Sequence, residues 1–180
     1  MLRLLPIPER PANGRLHLCS MPGRFGSLDA FIAAATENKV RHVVCLVSDD
    51  EIAKKSPGYL AAIGQKRIPG ELWRFPIPDY GIPEDAEELD RLLNKIRELL
   101  ERGESFVIHC AGGHGRTGMV AILLLARMGV ELGEAIRRVR SAGSGPDTEA
   151  QRRFLTAHVN PGRASGNAGV PPHDESQADR

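Results

Sequence analysis

One cysteine, a glycine-rich loop and an arginine form the group of residues with the clearest chemistry in this sequence. Cys110 follows an apolar run at residues 105–109, and Arg116 lies just before a second apolar run. Small or turn-forming residues separate them: Ala111, Gly112, Gly113, His114 and Gly115. A strand, a tight loop and a helix N-terminus in this order point successive backbone N–H groups at an anion, and the helix dipole adds positive potential.

The thiol and the guanidinium make this loop reactive. Helix N-termini and nearby cations favour the thiolate, which is the nucleophilic form of cysteine. An arginine presents a planar fork that matches two oxygens of a phosphate group. The loop therefore predicts a site that cleaves phosphate esters without a metal or cofactor. Cys110 is the expected nucleophile, and Arg116 and the backbone of residues 111–116 are the expected phosphate-binding groups.

The same residues contain a glycine pattern that is typical of dinucleotide-binding folds. Residues 113–118 read Gly-His-Gly-Arg-Thr-Gly, between an expected strand and an expected helix. Such a fold needs a second strand that ends in Asp or Glu about 20 residues later. Residues 132–141 instead carry apolar side chains at helical spacing, so the dinucleotide interpretation fails. No Gly-Lys-Ser/Thr follows the glycines, which also excludes an ATP-binding loop.

The run from His109 to Thr117 resembles the Cys-x5-Arg-Thr loop of protein tyrosine phosphatases. The resemblance extends over most of residues 5–159, and the Cys-x-Gly-Gly-x-Gly-Arg-Thr form is most similar to the compact dual-specificity phosphatases, which include the cyclin-dependent-kinase-associated group. This resemblance implies hydrolysis through a phosphocysteine intermediate. We expect Thr117 to donate a hydrogen bond to the sulfur and so to support the thiolate.

A proline-flanked segment, residues 75–83, carries the expected general acid. The leaving oxygen must be protonated, and Asp79 is the one acidic residue at the centre of this segment. The segment resembles the mobile general-acid loop of dual-specificity phosphatases, in which the matching aspartate is the acid. A turn aspartate that binds its own backbone is the structural alternative. Glu84 and Asp85 are expected in the first turn of a helix opened by Pro83, where negative charge suits the dipole.

A second segment, residues 145–155, resembles the family stretch whose glutamine orients the hydrolytic water, and Gln151 matches that glutamine. Thr148-x-x-Gln151 is also a capping box, a purely structural device. Both roles are open, and one residue can fill both. His109 is expected to support Cys110 by hydrogen bonding rather than to act as a base.

The elements that must position these residues alternate between strands and helices. Strands are expected at residues 3–7, 15–19, 40–47, 71–77 and 105–110. Helices are expected from Ser27, at 50–66 with an interruption at Pro57-Gly58, from Pro83 to about residue 102, at 119–128 and at 132–141. This order predicts an α/β fold with a central, mostly parallel sheet flanked by helices, of the compact dual-specificity phosphatase type. Residues 1–159 form the expected phosphatase domain, and the polar, glycine-rich residues 160–180 form an expected disordered tail.

Composition narrows the class of partner and the compartment. Lys and Arg total 24 against 23 Asp and Glu, so no strong field favours nucleic acid. Three cysteines without regular spacing (Cys19, Cys45 and Cys110) argue against a disulfide framework. No apolar run approaches the roughly 20 residues of a membrane span. We therefore expect a cytoplasmic monomer that acts on phosphorylated proteins and binds neither membranes nor nucleic acid.

The sequence favours phosphorylated proteins as substrates but leaves other substrate classes open. The domain is too small for the added phosphotyrosine-recognition loop of tyrosine-only domains, so we expect a shallower cleft, open to phosphotyrosine and to phosphoserine or phosphothreonine. Phosphoinositide phosphatases of this superfamily carry lysines in the loop, where this chain has Ala111 and His114. An RNA 5′-phosphatase is a further alternative, disfavoured by the balanced charge. A binding-only pseudophosphatase is another, but Cys110, Asp79 and Arg116 are intact.

Overall fold

The computed structural model describes residues 1–8 and 14–159. Within these residues five strands form one sheet: β1 (Arg3–Leu5), β2 (Arg15–Ser20), β3 (His42–Cys45), β4 (Glu71–Arg74) and β5 (Ser105–Cys110). The strand order is β1-β2-β5-β3-β4, with β1 antiparallel to β2 and the other neighbours parallel. The expected α/β fold with a mostly parallel central sheet is confirmed. The expected tail, residues 160–180, lies outside the described residues, so its disorder stays a prediction.

Prolines end two strands earlier than the sequence pattern suggested. β1 stops at Leu5, directly before Pro6, rather than at residue 7. β4 stops at Arg74, two residues before Pro76, rather than at residue 77. Proline has no N–H to donate to a neighbouring strand. Phe75, directly before Pro76, and Ile77, directly after it, still donate to carbonyl oxygens at and just after the end of β3, at 3.0 and 3.2 Å. The backbone after β4 therefore stays hydrogen-bonded to the segment at the end of β3 as far as Ile77, two residues before Asp79.

Seven helices are described: α1 (Leu28–Glu37), α2 (Asp49–Lys55), α3 (Pro57–Gly64), α4 (Ala86–Glu101), α5 (Gly115–Arg127), α6 (Leu132–Ser141) and α7 (Glu149–Val159). The expected interruption at Pro57 is confirmed, because this proline starts α3. The expectation that Pro83 opens α4 is wrong. Asp85 caps that helix, its carboxylate accepting the Glu88 N–H at 2.8 Å, and Glu84 lies before the first turn. No helix in the described ranges is both long and apolar enough to cross a membrane.

Helix α5 is the central helix of the fold. It begins at Gly115, four residues before the expected start at Met119, because the last loop residues form its first turn. Every residue from Gly115 to Leu125 is buried, and the helix contacts β5, α4, α6 and α7. A helix enclosed on all sides in this way cannot shift freely. Its N-terminus therefore gives the loop before it a rigid base.

Candidate active site

The cysteine loop lies at the carboxyl end of β5, between the ends of β2 and β3. Gly113 has a φ of 75°, and a Cβ there would lie 2.5 Å from the carbonyl oxygen of Cys19. Only glycine permits both this backbone conformation and this close approach to β2. The N–H of Gly113 donates to Sγ of Cys110 at 3.3 Å. The loop thus folds back so that a backbone donor faces the sulfur, a direction that stabilises negative charge on it.

A cavity of about 230 Å³ lies over this loop. It brings together eight of the residues that the sequence predicted: Asp79, Cys110, Ala111, Gly112, His114, Gly115, Arg116 and Gln151. Gly113 and Thr117 do not line it. Phe25 and Tyr80, each 68% exposed, stand at its rim. The nucleophile, the arginine, the expected acid and the glutamine therefore share one small, open cavity.

Glu51 is a residue of this site that sequence reasoning missed. It lies in the first turn of α2, where any acidic residue suits the helix dipole, so nothing in the sequence distinguishes it. Its two carboxylate oxygens accept from both terminal nitrogens of Arg116, at 2.7 and 2.9 Å, and the Arg116 side chain is only 3% exposed. Hydrogen bonds from Arg116, and then from Lys55, lower the pKa of Glu51 from 4.5 to about 2 against the effect of burial. Glu51 is thus an ionised, two-point support for the guanidinium.

Asp79 completes a ring of four charged groups. One of its oxygens accepts from Nη2 of Arg116 at 2.7 Å, and the other accepts from Nζ of Lys55 at 2.9 Å. Lys55 also donates to Glu51 at 2.7 Å. Two carboxylates and two cations therefore balance one another at the cavity. Arg116 also donates to the Ile77 carbonyl at 3.0 Å. An entering phosphate dianion is therefore a further acceptor for Arg116 and competes with Asp79 for it.

Gln151 caps α7 and also lines the cavity. Its N–H donates to Oγ1 of Thr148 at 3.2 Å, and its Oε1 accepts from the N–H groups of Thr148 and Asp147, at 3.4 and 2.8 Å. The capping box is therefore present. Its Nε2 donates to the Gly81 carbonyl at 3.0 Å, and its other Nε2 hydrogen has no acceptor within residues 1–8 and 14–159. The water-orienting role stays a prediction, and this hydrogen is the group that would fulfil it.

Thr117 does not make the expected hydrogen bond to the sulfur. Its hydroxyl is buried and has no hydrogen-bond partner among the described residues. The donor to Sγ is instead the N–H of Gly113. An unpaired buried hydroxyl costs about 1–3 kcal/mol. The expected hydrogen bond from this hydroxyl to Sγ of Cys110 stays a prediction. It would form in a state of the reaction other than the substrate-free one.

His109 supports Cys110 through the backbone rather than the sulfur. Its Nδ1 lies 3.3 Å from the carbonyl oxygen of Cys110, and its Nε2 lies 2.9 Å from the hydroxyl of Tyr59. A carbonyl can only accept, so Nδ1 carries the proton and Nε2 accepts from Tyr59. Burial lowers the pKa of His109 to about 4, despite the backbone hydrogen bond. The ring is therefore neutral near pH 7, and both of its nitrogens are engaged.

The other two cysteines are core residues. Cys19 on β2 and Cys45 on β3 are each paired in register with His109 on β5. Because side chains alternate along a strand, both thiols lie on the face of His109, opposite to that of Cys110. Burial raises the pKa of Cys19 to about 12 and also raises that of Cys45. Neither thiol resembles a second nucleophile.

A substitution of Glu51 tests its support of Arg116. Glu51→Gln is expected to lower kcat/KM by about 10–100-fold, the loss expected for a charge-assisted pair. The folded state lowers the pKa of Glu51, so its contribution to stability is present above pH 4.5 and is lost as the pH falls toward 2. The stability difference between wild type and Glu51→Gln should therefore be largest at neutral pH and vanish in acid. Steady-state kinetics and urea unfolding at several pH values measure both effects.

The matched control for this variant is Asp50→Asn. Asp50 is an exposed neighbour in the same first turn of α2, and its substitution removes the same charge. We expect its kinetics to stay within about twofold of wild type, as for most surface changes. Equal losses in both variants would mean that the charge of α2, rather than the contact with Arg116, is what matters.

Comparisons with known proteins agree with this arrangement. Residues 13–159 match the model of a family described as Swiss Army Knife protein, DSP-PTPase phosphatase domain. Cyclin-dependent kinase inhibitor 3 of Rattus norvegicus is 27% identical over 151 residues, which cover 78% of this chain and 70% of the rat protein. Shorter matches, 32–39% identical, include a protein of Invertebrate iridescent virus 6 and two of Methanocaldococcus jannaschii; they cover 45–47% of this chain and 31–56% of those proteins' lengths.

Solved structures show the same fold. The crystal structure of kinase associated phosphatase, with serine in place of its catalytic cysteine, has a TM-score of 0.75 at 20% identity and covers 93% of this chain and 97% of that one. Tk-PTP in its active form has a TM-score of 0.64 at 26% identity, with coverage of 88% and 97%. The resemblance seen in the cysteine loop is thereby confirmed over the whole described domain. The chain belongs to the cysteine-dependent dual-specificity and tyrosine phosphatases, in the Swiss Army Knife DSP-PTPase family.

Proposed function

We propose that this protein hydrolyses phosphate monoesters in phosphorylated proteins, on phosphotyrosine and also on phosphoserine or phosphothreonine, without a metal ion. The observation that carries the proposal is the meeting of Cys110, Arg116 and Asp79 around one cavity, although they come from distant segments. These groups are a nucleophile, an oxyanion clamp and a proton donor. Together they are what phosphate ester cleavage requires.

In the first step the Cys110 thiolate attacks phosphorus in line with the leaving oxygen. The S–P bond forms as the P–O bond breaks, and Asp79 gives its proton to the departing oxygen. The loop N–H groups and Arg116 bind the other phosphate oxygens. Those oxygens replace Asp79 at Nη2 of Arg116, a contact of 2.7 Å in the substrate-free site. Asp79, released from Arg116, takes up a proton from solvent before it acts as the acid, and it returns a proton to solvent when it pairs with Arg116 again after turnover.

In the second step water hydrolyses the phosphocysteine. Asp79 accepts a proton from the water, whose oxygen attacks phosphorus as the P–S bond breaks. The free hydrogen on Nε2 of Gln151 is the proposed anchor for this water. The sulfur leaves as a thiolate beside the Gly113 N–H, and the unpaired Thr117 hydroxyl is the second donor we propose for it. Orthophosphate is released, and the enzyme returns to its starting state.

Protein substrates are favoured over other phosphate esters by the loop and by the rim of the cavity. No lysine stands in the loop, where Ala111 and His114 occupy the positions that pair extra phosphates in phosphoinositide phosphatases. The fold neighbours do not decide between the classes, since they include both kinase associated phosphatase and PTPMT1 in complex with PI(5)P. The open rim with two exposed aromatic side chains, Phe25 and Tyr80, suits an extended peptide. Phosphoinositides and RNA 5′-phosphates are the alternative substrates.

A side-by-side panel tests this proposal. Orthophosphate release is measured, with EDTA present, from phosphotyrosine, phosphoserine and phosphothreonine peptides, from phosphoinositides and from 5′-triphosphorylated RNA. We expect the phosphopeptides to have the highest kcat/KM. Vanadate should stop the reaction as a phosphate analogue, and peroxide should stop it because a thiolate is readily oxidised. A higher kcat/KM for a lipid or RNA would overturn the substrate class. Activity that disappears in EDTA and returns with a divalent ion would overturn the mechanism, and release from no substrate would identify a pseudophosphatase.

A further inference from the structure

The segment before α7 contacts both catalytic loops. It comprises residues 145–151, and we call it the bridging segment. It lies against the first turn of α5, where a Cβ on Gly118 would overlap the backbone of Gly145. From there an Asp147 carboxylate oxygen accepts the N–H of Gly115, in the cysteine loop, at 2.8 Å. The absence of a side chain at Gly118 thus lets the bridging segment reach the phosphate-binding loop.

The same segment binds the loop that carries Asp79. The hydroxyl of Thr148 donates to the carbonyl oxygen of Tyr80 at 3.2 Å, and the Gln151 side chain donates to that of Gly81 at 3.0 Å. These two carbonyls belong to the residues that directly follow Asp79. The bridging segment therefore joins the nucleophile loop to the acid loop.

Tyr80 has a backbone conformation that needs this support. The Gly81 N–H donates to the Pro78 carbonyl at 2.9 Å, which closes a four-residue turn with Asp79 and Tyr80 in the middle. Tyr80 has a φ of 58°, at a position where such turns favour glycine or asparagine. Its side chain is 68% exposed, so packing of the ring does not hold the backbone in place. Hydrogen bonds to the carbonyls do so instead.

We propose that Thr148 is a positioning residue for the general acid. By holding the Tyr80 carbonyl, its hydroxyl keeps the turn in the conformation that directs Asp79 over the cysteine loop. This inference rests on the proposed acid role of Asp79. The ion pairs of Asp79 with Arg116 and Lys55 do not replace Thr148, because phosphate competes for Arg116 during the reaction. The two hydrogen bonds from the bridging segment to the acid loop, to the carbonyls of Tyr80 and Gly81, involve no phosphate-binding group.

Capping of α7 alone does not account for this hydroxyl. As a cap, Thr148 needs only an acceptor oxygen for the Gln151 N–H, at 3.2 Å. Its proton is directed elsewhere, at Tyr80. The two roles are therefore separable by substitution. Thr148→Ser keeps both, Thr148→Asp keeps the cap but has no proton to donate, and Thr148→Val loses both.

The test compares kcat on a phosphoserine peptide with kcat on 4-nitrophenyl phosphate, whose leaving group needs little protonation. We expect Thr148→Val and Thr148→Asp to lower the peptide-to-aryl ratio of kcat by about tenfold, the effect of one hydrogen bond in the transition state. Thr148→Ser should restore the ratio. Thr156→Val is the matched control, since Thr156 is an exposed threonine of the same helix whose hydroxyl binds the Arg152 carbonyl. If loss of the cap unfolds Thr148→Val, then Thr148→Asp, which keeps the cap, still tests the hydrogen bond to Tyr80.

Combination with Asp79→Asn separates the possible failures. If Thr148 acts through Asp79, Thr148→Val should not lower the ratio further in the Asp79→Asn background. An unchanged ratio in the single Thr148 variants, or a further fall in the double variant, would overturn the positioning role. If Asp79→Asn itself leaves the ratio unchanged, the acid role of Asp79 fails, and the inference about Thr148 fails with it.

Discussion

Cys110→Ser is expected to abolish hydrolysis of every phosphate ester, by about 10⁴-fold or more, while the variant still binds phosphate. A serine hydroxyl is not a nucleophile near neutral pH unless a base removes its proton. The hydrogen bond described for the sulfur comes from a backbone N–H, that of Gly113. The adjacent His109 is no substitute for a base, because its nitrogens are engaged by Tyr59 and by the Cys110 carbonyl.

Two measurements distinguish loss of the nucleophile from loss of the fold. Orthophosphate release gives kcat, and calorimetry with inorganic phosphate gives Kd, which we expect to stay within about tenfold of wild type because the backbone cradle is unchanged. Cys45→Ala is the control, since that thiol lies on the opposite face of the sheet, and it should remain active. Retention of more than about a hundredth of wild-type kcat in Cys110→Ser would remove Cys110 from the nucleophile role.

Asp79→Asn is expected to slow hydrolysis of a phosphoserine peptide by about 10²–10⁴-fold, and to slow an activated aryl phosphate much less. An alkoxide leaving group is far more basic than a nitrophenolate, so protonation of the departing oxygen matters far more for the peptide. An asparagine side chain has no acidic proton to donate to the departing oxygen.

Asp85→Asn is the matched control for Asp79→Asn. Asp85 is the neighbouring acid that caps α4 through its carboxylate, and asparagine caps a helix equally well. This control should behave as wild type on both substrates. If Asp79→Asn slowed both substrates equally, Asp79 would be a turn residue and the acid would lie elsewhere.

The sequence alone determined the parts of this protein that depend on neighbouring residues. The run from Cys110 to Arg116 encodes a strand end, a tight loop and a helix start within a few residues, because glycine content and apolar patterning act locally. The alternating pattern of strands and helices was sufficient to predict the mostly parallel sheet. Errors occurred at element ends, as at α4, where the Asp85 side chain rather than Pro83 sets the start.

Only the tertiary structure decided which distant side chains meet. Glu51 precedes Arg116 by 65 positions, and in sequence it is one of three acids in a helix first turn. The link from Thr148 to Tyr80 spans 68 positions and depends on the close approach of Gly118 to Gly145. Such contacts follow from the strand order β2-β5-β3, which places the carboxyl ends of parallel strands side by side. A local sequence pattern does not specify that strand order, because the packing of the whole core sets the order.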